Sequence, residues 1–232
     1  MSGGDLHALL YPSRDDRSTS TPRCITLAQR LSIVADIADA LEYLHHNKQG
    51  TIIHCDIKPS NILLDENMTA HVGDCGLARF KVDSAASSVA NSTSSSSIAV
   101  KGTIGYLALE CATGGNISCA SDVYSFGTVL EIILRKRPTD GMFKDGLNIV
   151  KFVEMNFPDR IPHIIDPELQ EYLYDDLSQK VSVTMREGTF ASLLSVLHTG
   201  LQCTKTSASE RIDMREVAAR LHSVKEAYLR AI

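Results

Sequence analysis

The sequence contains no run of Lys or Arg longer than three residues, and its formal net charge is −5. A nucleic-acid or anionic-membrane surface is therefore not expected. No apolar stretch approaches the roughly 18–20 residues needed to cross a bilayer. The opening, MSGGDLHALLYPSRDD, has no basic start followed by a long apolar segment. Neither a transmembrane segment nor a signal peptide is expected. The cysteines, Cys24, Cys55, Cys75, Cys111, Cys119 and Cys203, are scattered with no CxxC pair. That argues against zinc and against a disulfide framework, and points to reduced thiols. There is no internal repeat, and no G-x-G-x-x-G phosphate loop.

What is present fits a globular chain with a core. The 232 residues are 44% hydrophobic and 22% charged, room for one domain or two small ones. Residues 27–46 place Leu27, Leu31, Val34, Ile37, Leu41 and Leu44 at spacings of three and four, which predicts a helix with one apolar stripe. Thr26 followed by Gln29 predicts a capping box. The polar stretch before it reads as a loop. TIIH (51–54), NILLD (61–65) and TAHVGD (69–74) read as short extended pieces forming one small β patch, with ENMT as a connection. SDVYSFGTVLEIILRK (121–136) is apolar on nearly every face, as a buried central helix is, with Pro138 as its stop. Further helices are predicted over 147–157, 190–203 and 214–229, the last capped by Asp213 and striped by Val217, Leu221, Val224 and Tyr228. Residues 84–97, SAASSVANSTSSSS, hold eight Ser and one Thr; such a segment has too little apolar area to fold and is expected to be disordered. The fold class is mainly α with a small β patch.

The chemistry concentrates in HCDIKPSN, residues 54–61. Phosphoryl transfer to a hydroxyl needs a carboxylate to orient the hydroxyl, oxygen ligands for Mg²⁺ and a cation near the migrating phosphate. Asp56, Asn61 and Lys58 supply one of each, and Asp74 in GDCG adds a second carboxylate after a short hairpin. Hard Mg²⁺ favours such oxygen ligands, sharing them with phosphate and water. Asp56 and Asp74 could also be read as a metal-phosphohydrolase pair.

HCDIKPSN resembles the H-R-D-x-x-x-x-N catalytic loop of protein kinases. DCG (74–76) resembles their D-F-G, and ALE (108–110) their A-P-E at the end of KGTIGYLALE. SDVYSFGTVLEII resembles their central buried helix. The likeness runs from Gly4 to about Leu229. The wording GTIGY and DVYSFG is most similar to plant receptor-like serine/threonine kinases with leucine-rich-repeat ectodomains.

The resemblance implies a protein-kinase-like large lobe using ATP and Mg²⁺ to phosphorylate Ser or Thr of a protein substrate, on the cytosolic side of a membrane. It implies that Asp56 orients the substrate hydroxyl as base and that Lys58 steadies the γ-phosphate. Asn61 and Asp74 hold Mg²⁺, Leu63 floors the adenine pocket, and Thr103 hydrogen-bonds near Asp56 and Lys58. His54 is structural, Asp122 pins the catalytic-loop backbone, and Glu110 pairs with Arg211. Residues 1–232 then correspond to part of a kinase domain, its C-terminal lobe alone, with 84–97 an insert in the activation segment.

The sequence also departs from the family pattern. The Gly-rich lid is absent, and IAVK (98–101), though similar to V-A-I-K, falls after the catalytic loop and reads as the end of the activation segment. Cys55 stands where many kinases have the Arg that meets a phosphorylated activation loop. Cys75 replaces the D-F-G Phe, and Leu109 the A-P-E Pro. The two thiols are expected to be buried and to act as small apolar residues. His45 and His46 are expected at a solvated helix end. A lobe evolved with a partner is expected to expose an apolar patch beside Leu63 and Asp74. Two functions follow: a kinase domain whose 232 residues are inactive alone, or a pseudokinase-type module that docks partners without phosphorylating them.

Overall fold

Thr26 starts the helix around which the core assembles. In the computed structural model, which describes residues 3–12, 25–81, 102–114, 117–129, 131–174 and 183–232, the Gln29 N–H donates to Thr26 Oγ1 at 3.3 Å. The Thr26 N–H returns a bond to Gln29 Oε1 at 3.0 Å. The reciprocal pair satisfies two amides that a helix start would otherwise leave bare. The helix after α1 (Leu6–Leu10) is α2 (Leu27–His45). Its Leu27, Leu31, Val34, Ile37 and Leu41 are buried, as the stripe predicts.

α2 packs mainly on α10 (Met214–Ala231), which also packs on α9 (Val183–Cys203). Asp213 Oδ1 caps α10 by accepting the Glu216 N–H at 2.8 Å. Val217, Leu221 and Tyr228 are buried, and Val224 partly so. The α9 helix begins earlier than its apolar pattern. Residues before Thr189 contribute nothing fully buried, so periodicity marks only the packed part.

The central segment differs from its prediction. It is described as α4 (Cys119–Thr128) and α5 (Glu131–Leu134), preceded by α3 (Leu109–Ala112). It ends at Leu134, before Pro138, because Arg135 adopts φ 52°. The Arg135 side chain donates to the Leu10 carbonyl at 3.0 Å and pairs with Glu168; these tertiary bonds hold a left-handed residue that ends the helix without a proline. Gly127 lets α4 approach α9 closely, since a Cβ there would lie 2.5 Å from the Thr204 methyl. The short helices α6 (Ile149–Asn156), α7 (Ile161–Ile164) and α8 (Pro167–Tyr174) complete the element order.

The extended pieces form two ladders rather than one patch. Antiparallel β1 (Thr51–Ile53) pairs with β4 (Arg79–Lys81), and β2 (Ile62–Leu64) with β3 (Ala70–Val72). The fold class holds: mainly α with a small β component. The Ser-rich stretch 84–97 and IAVK (98–101) lie outside the described residues.

Candidate functional site

The site is built from the turn between β1 and β2 outward. Asp122, on α4, is 1% exposed. Its carboxylate accepts the backbone N–H of His54 at 2.7 Å and of Cys55 at 2.8 Å, and lies 3.0 Å from His45 Nε2. Cys55 has φ 70°, a conformation that costs a non-glycine residue about 1–3 kcal/mol. Two hydrogen bonds to a buried carboxylate, each worth about 1.5–3 kcal/mol, outweigh that cost. The turn thereby sets the backbone direction into the next residue, Asp56, which is itself buried.

His54 is held on both sides. The Asp56 N–H donates to Nδ1 at 3.3 Å, so Nε2 carries the proton and donates to the Gly73 carbonyl at 2.9 Å. The ring thus ties the Asp56 loop to the residue before Asp74 and is spent as a structural brace. His45 is 5% exposed and bonded to Asp122, which corrects its expected solvated position. The helix end folds under the turn that carries Asp56, and only His46 faces water.

Around Asp56 the side chains close into one network. Lys58 Nζ donates to Asp56 Oδ2 at 2.7 Å and to Thr103 Oγ1 at 2.9 Å, while Thr103 Oγ1 donates to Asp56 Oδ1 at 2.7 Å. Asn61 Nδ2 donates to the Asp56 carbonyl at 2.8 Å and to Oδ2 at 3.1 Å. Burial alone would raise the Asp56 pKa. The hydrogen bonds from Lys58 and Thr103, the Lys58 charge and the Asn61 amide outweigh it and hold the carboxyl below its ordinary range. Asp56 is therefore ionised at neutral pH, with both oxygens held by hydrogen bonds.

Asp74 enters by way of the second ladder. The Gly73 N–H donates to the Asn61 carbonyl at 2.8 Å, which sets the start of the DCG turn beside Asn61. Asp74 has φ 55° and is exposed; one of its oxygens accepts the Gly76 N–H at 3.3 Å. The Asn61 amide has spent its two donors and its oxygen accepts no hydrogen bond among the described residues. One free-ended carboxylate and one amide oxygen are the hard ligands Mg²⁺ uses together with phosphates and water. Among the described residues no cluster of three or more His, Cys, Asp or Glu could hold a metal alone. The donor set therefore fits an ion that brings further oxygen ligands with it.

Glu110 and Arg211 come together across the fold. Both guanidinium nitrogens meet the carboxylate, one at 3.0 Å, and Arg211 also donates to the carbonyls of Lys205, Ala120 and Thr206. Leu63 lies on β2, half-buried and bridged to Asp5. Leu63 and Val72 are half-buried, and Gly3 and Gly4 hydrogen-bond along Leu64, covering that edge. Cys75 is exposed, against the expectation that it is buried; Cys55 is buried, and burial pushes its thiol up to about 11.

Two buried clusters were missed. Arg30 pairs with Asp166 with both side chains 1% exposed. The signal was an Arg on the Leu27–Leu31–Val34 stripe, where a charge must find a partner. Glu131 lies within an equally apolar run, fully buried, and Tyr106 Oη donates to its Oε1 at 2.8 Å.

No helix of the described residues is long and apolar enough to cross a membrane. The sequence pattern of the family described as "Protein tyrosine and serine/threonine kinase" matches residues 1–221. The "Receptor kinase-like protein Xa21" of Oryza sativa subsp. japonica is 36% identical over 227 residues, 97% of this chain and 21% of its own length. The "LRR receptor-like serine/threonine-protein kinase EFR" of Arabidopsis thaliana is 35% identical over 98% of this chain and 20% of its own. A "Receptor-like protein kinase" of Ipomoea nil is 35% identical over 95% and 18%. The chain spans about a fifth of the length of these curated relatives.

Proposed function

The chain belongs to the protein tyrosine and serine/threonine kinase family, and from that premise we propose that it carries the acceptor half of an ATP-dependent protein serine/threonine kinase site in a receptor-like kinase. The network of Asp56, Lys58 and Thr103 is the observation that carries this reading. Asp56 orients the acceptor hydroxyl and takes its proton as the oxygen attacks the γ-phosphorus. Lys58, already tethered to Thr103, stands ready to meet the charge on the transferred group. Asn61 and Asp74 would hold Mg²⁺, which neutralises phosphate charge when it binds with ATP. His54 and Asp122 hold the loop that presents Asp56. Leu63 would contact the adenine. The site would face the cytosol. Residues 1–232 read as the C-terminal lobe of the domain, with 84–97 an insert in the activation segment.

These residues include no Gly-rich loop and no V-A-I-K lysine ahead of the catalytic loop. Positioning supplies most of the rate in phosphoryl transfer, so a polypeptide of these residues alone is expected to transfer phosphate slowly. A γ-labelled ATP assay on a protein acceptor tests the reading. Slow labelling of Ser and Thr, reduced at least tenfold by Asp56→Ala, supports it. Labelling on Tyr, or labelling indifferent to Asp56→Ala, contradicts it. The exposed Cys75 in place of an aromatic favours a second reading, a docking module without catalysis. Complete absence of labelling together with retained partner binding in Asp74→Asn would select it.

A further inference from the structure

A cleft of 230 Å³ opens directly beside the Asp56 network, lined among others by His7, Lys58, Thr103, Tyr106, Arg137 and Thr139. No carboxylate lines it among the described residues. The Lys58 charge is taken up by Asp56 at 2.7 Å. Arg137 is different. Its guanidinium stacks 4.2 Å over the Tyr11 ring, whose other neighbour is the His7 ring at 5.2 Å. That stack fixes the plane of the cation without using its N–H groups. Arg137 Nε is buried with no hydrogen-bond partner, and among the described residues no carboxylate lies within ion-pair distance of the guanidinium. Asp140, the nearest acid in sequence, accepts the Arg137 backbone N–H at 2.8 Å instead. Glu131, whose carboxyl burial pushes up to about 8, makes no ion pair with Arg137 either.

We propose that this cleft selects acceptor peptides carrying an anionic side chain, carboxylate or phosphoryl, next to the acceptor hydroxyl, with Arg137 as the selecting residue. The inference rests on the reading of Asp56 as the hydroxyl-orienting group, because the cleft begins at its partners Lys58 and Thr103. A planar guanidinium with free N–H groups meets a carboxylate or phosphate in a two-point contact that a neutral side chain cannot make.

The test is a titration of the purified chain, without nucleotide, with labelled nine-residue peptides containing one central Ser. Their flanks carry Glu, phosphoserine, Ala or Lys, and binding is read by fluorescence anisotropy at low salt. The Glu peptide is expected to bind about tenfold tighter than the Ala peptide and the Lys peptide more weakly than either. Tight binding of phosphoserine but not Glu peptides identifies phosphoryl as the ligand; tight binding of both identifies charge as such. Arg137→Lys retains part of the preference, and Arg137→Ala brings the Glu and Ala peptides within twofold. Arg137→Gln, which keeps the side-chain length over Tyr11, carries the same expectation should the alanine variant fail to fold. Equal affinity for the Glu, phosphoserine and Ala peptides, or an anionic preference that survives in folded Arg137→Gln, overturns the inference. A chain that selects Glu peptides but labels no acceptor contradicts the kinase reading alone; one that labels Glu and Ala peptides equally contradicts the inference alone.

Discussion

Thr103 is the residue through which the site becomes chemically specific. It accepts from Lys58 and donates to Asp56, so one hydroxyl sets the positions of a cation and a carboxylate at once. Removing it leaves Asp56 Oδ1 without its 2.7 Å donor while the Lys58 and Asn61 bonds to Oδ2 remain. Thr103→Val is therefore expected to move the Asp56 pKa upward, toward the ordinary carboxylate value. Carbonyl-carbon NMR titration of Asp56 reads this directly. A downward move or no move would show that Thr103 does not hold the carboxylate. The sign for stability follows. A folded-state pKa below the unfolded one adds stability above the unfolded value, lost as pH falls through the folded value. The variant is expected to lose part of that contribution at neutral pH.

At the scale of elements, two side chains tie segments distant in sequence. Glu110 on α3 and Arg211 ahead of α10 form a two-point pair in which Arg211 is 1% and Glu110 27% exposed. Glu110→Ala strands a buried guanidinium among carbonyls and is expected to cost ~3 kcal/mol in urea unfolding; a cost below ~1 kcal/mol would mean that water reaches Arg211. Glu131 on α5 works in the opposite direction. Burial is the main cause of its upward shift, reinforced by Asp140 and opposed by the Tyr106 hydrogen bond and Arg137. A folded pKa raised to about 8 means that the folded state holds a proton the unfolded chain releases, so stability falls as pH rises from the unfolded value toward 8. Glu131→Gln keeps the acceptor for Tyr106 and removes the titration. It is expected to stabilise the protein by on the order of 2–3 kcal/mol at pH 7.5, with little effect near pH 4. Thermal unfolding across that range checks it, and parallel pH profiles for the two proteins would contradict it.

What the sequence could say at this scale depended on packing. α2 and α10 carry full stripes and explicit caps, and both were readable. The central helix was readable as buried but not in its ending, because Arg135 turns left-handed for partners on Leu10 and Glu168 that local propensity does not register. The helices α1, α3 and α7 are too short to show a period. The residues of the Asp56 loop could be named from their spacing and family likeness. The Tyr11–Arg137 stack could not, because it joins α1 to the segment after α5 through tertiary contact alone.

On the function proposed above, the whole molecule assembles one half of a site. The acceptor side is assembled by bonds internal to these 232 residues: Asp122 under the turn, His54 between the two ladders, Thr103 across Asp56. The nucleotide side would rest on Asn61 and the exposed Asp74, with no phosphate loop in the sequence to close over them. Two oxygen ligands and a half-buried Leu63 give little area and few bonds with which to hold a triphosphate against the entropy of binding. The direct measurement is the dissociation constant of Mg·ATP for the purified, folded, monomeric 232-residue chain by titration calorimetry. A value weaker than about 1 mM is what the account predicts; micromolar binding would contradict it.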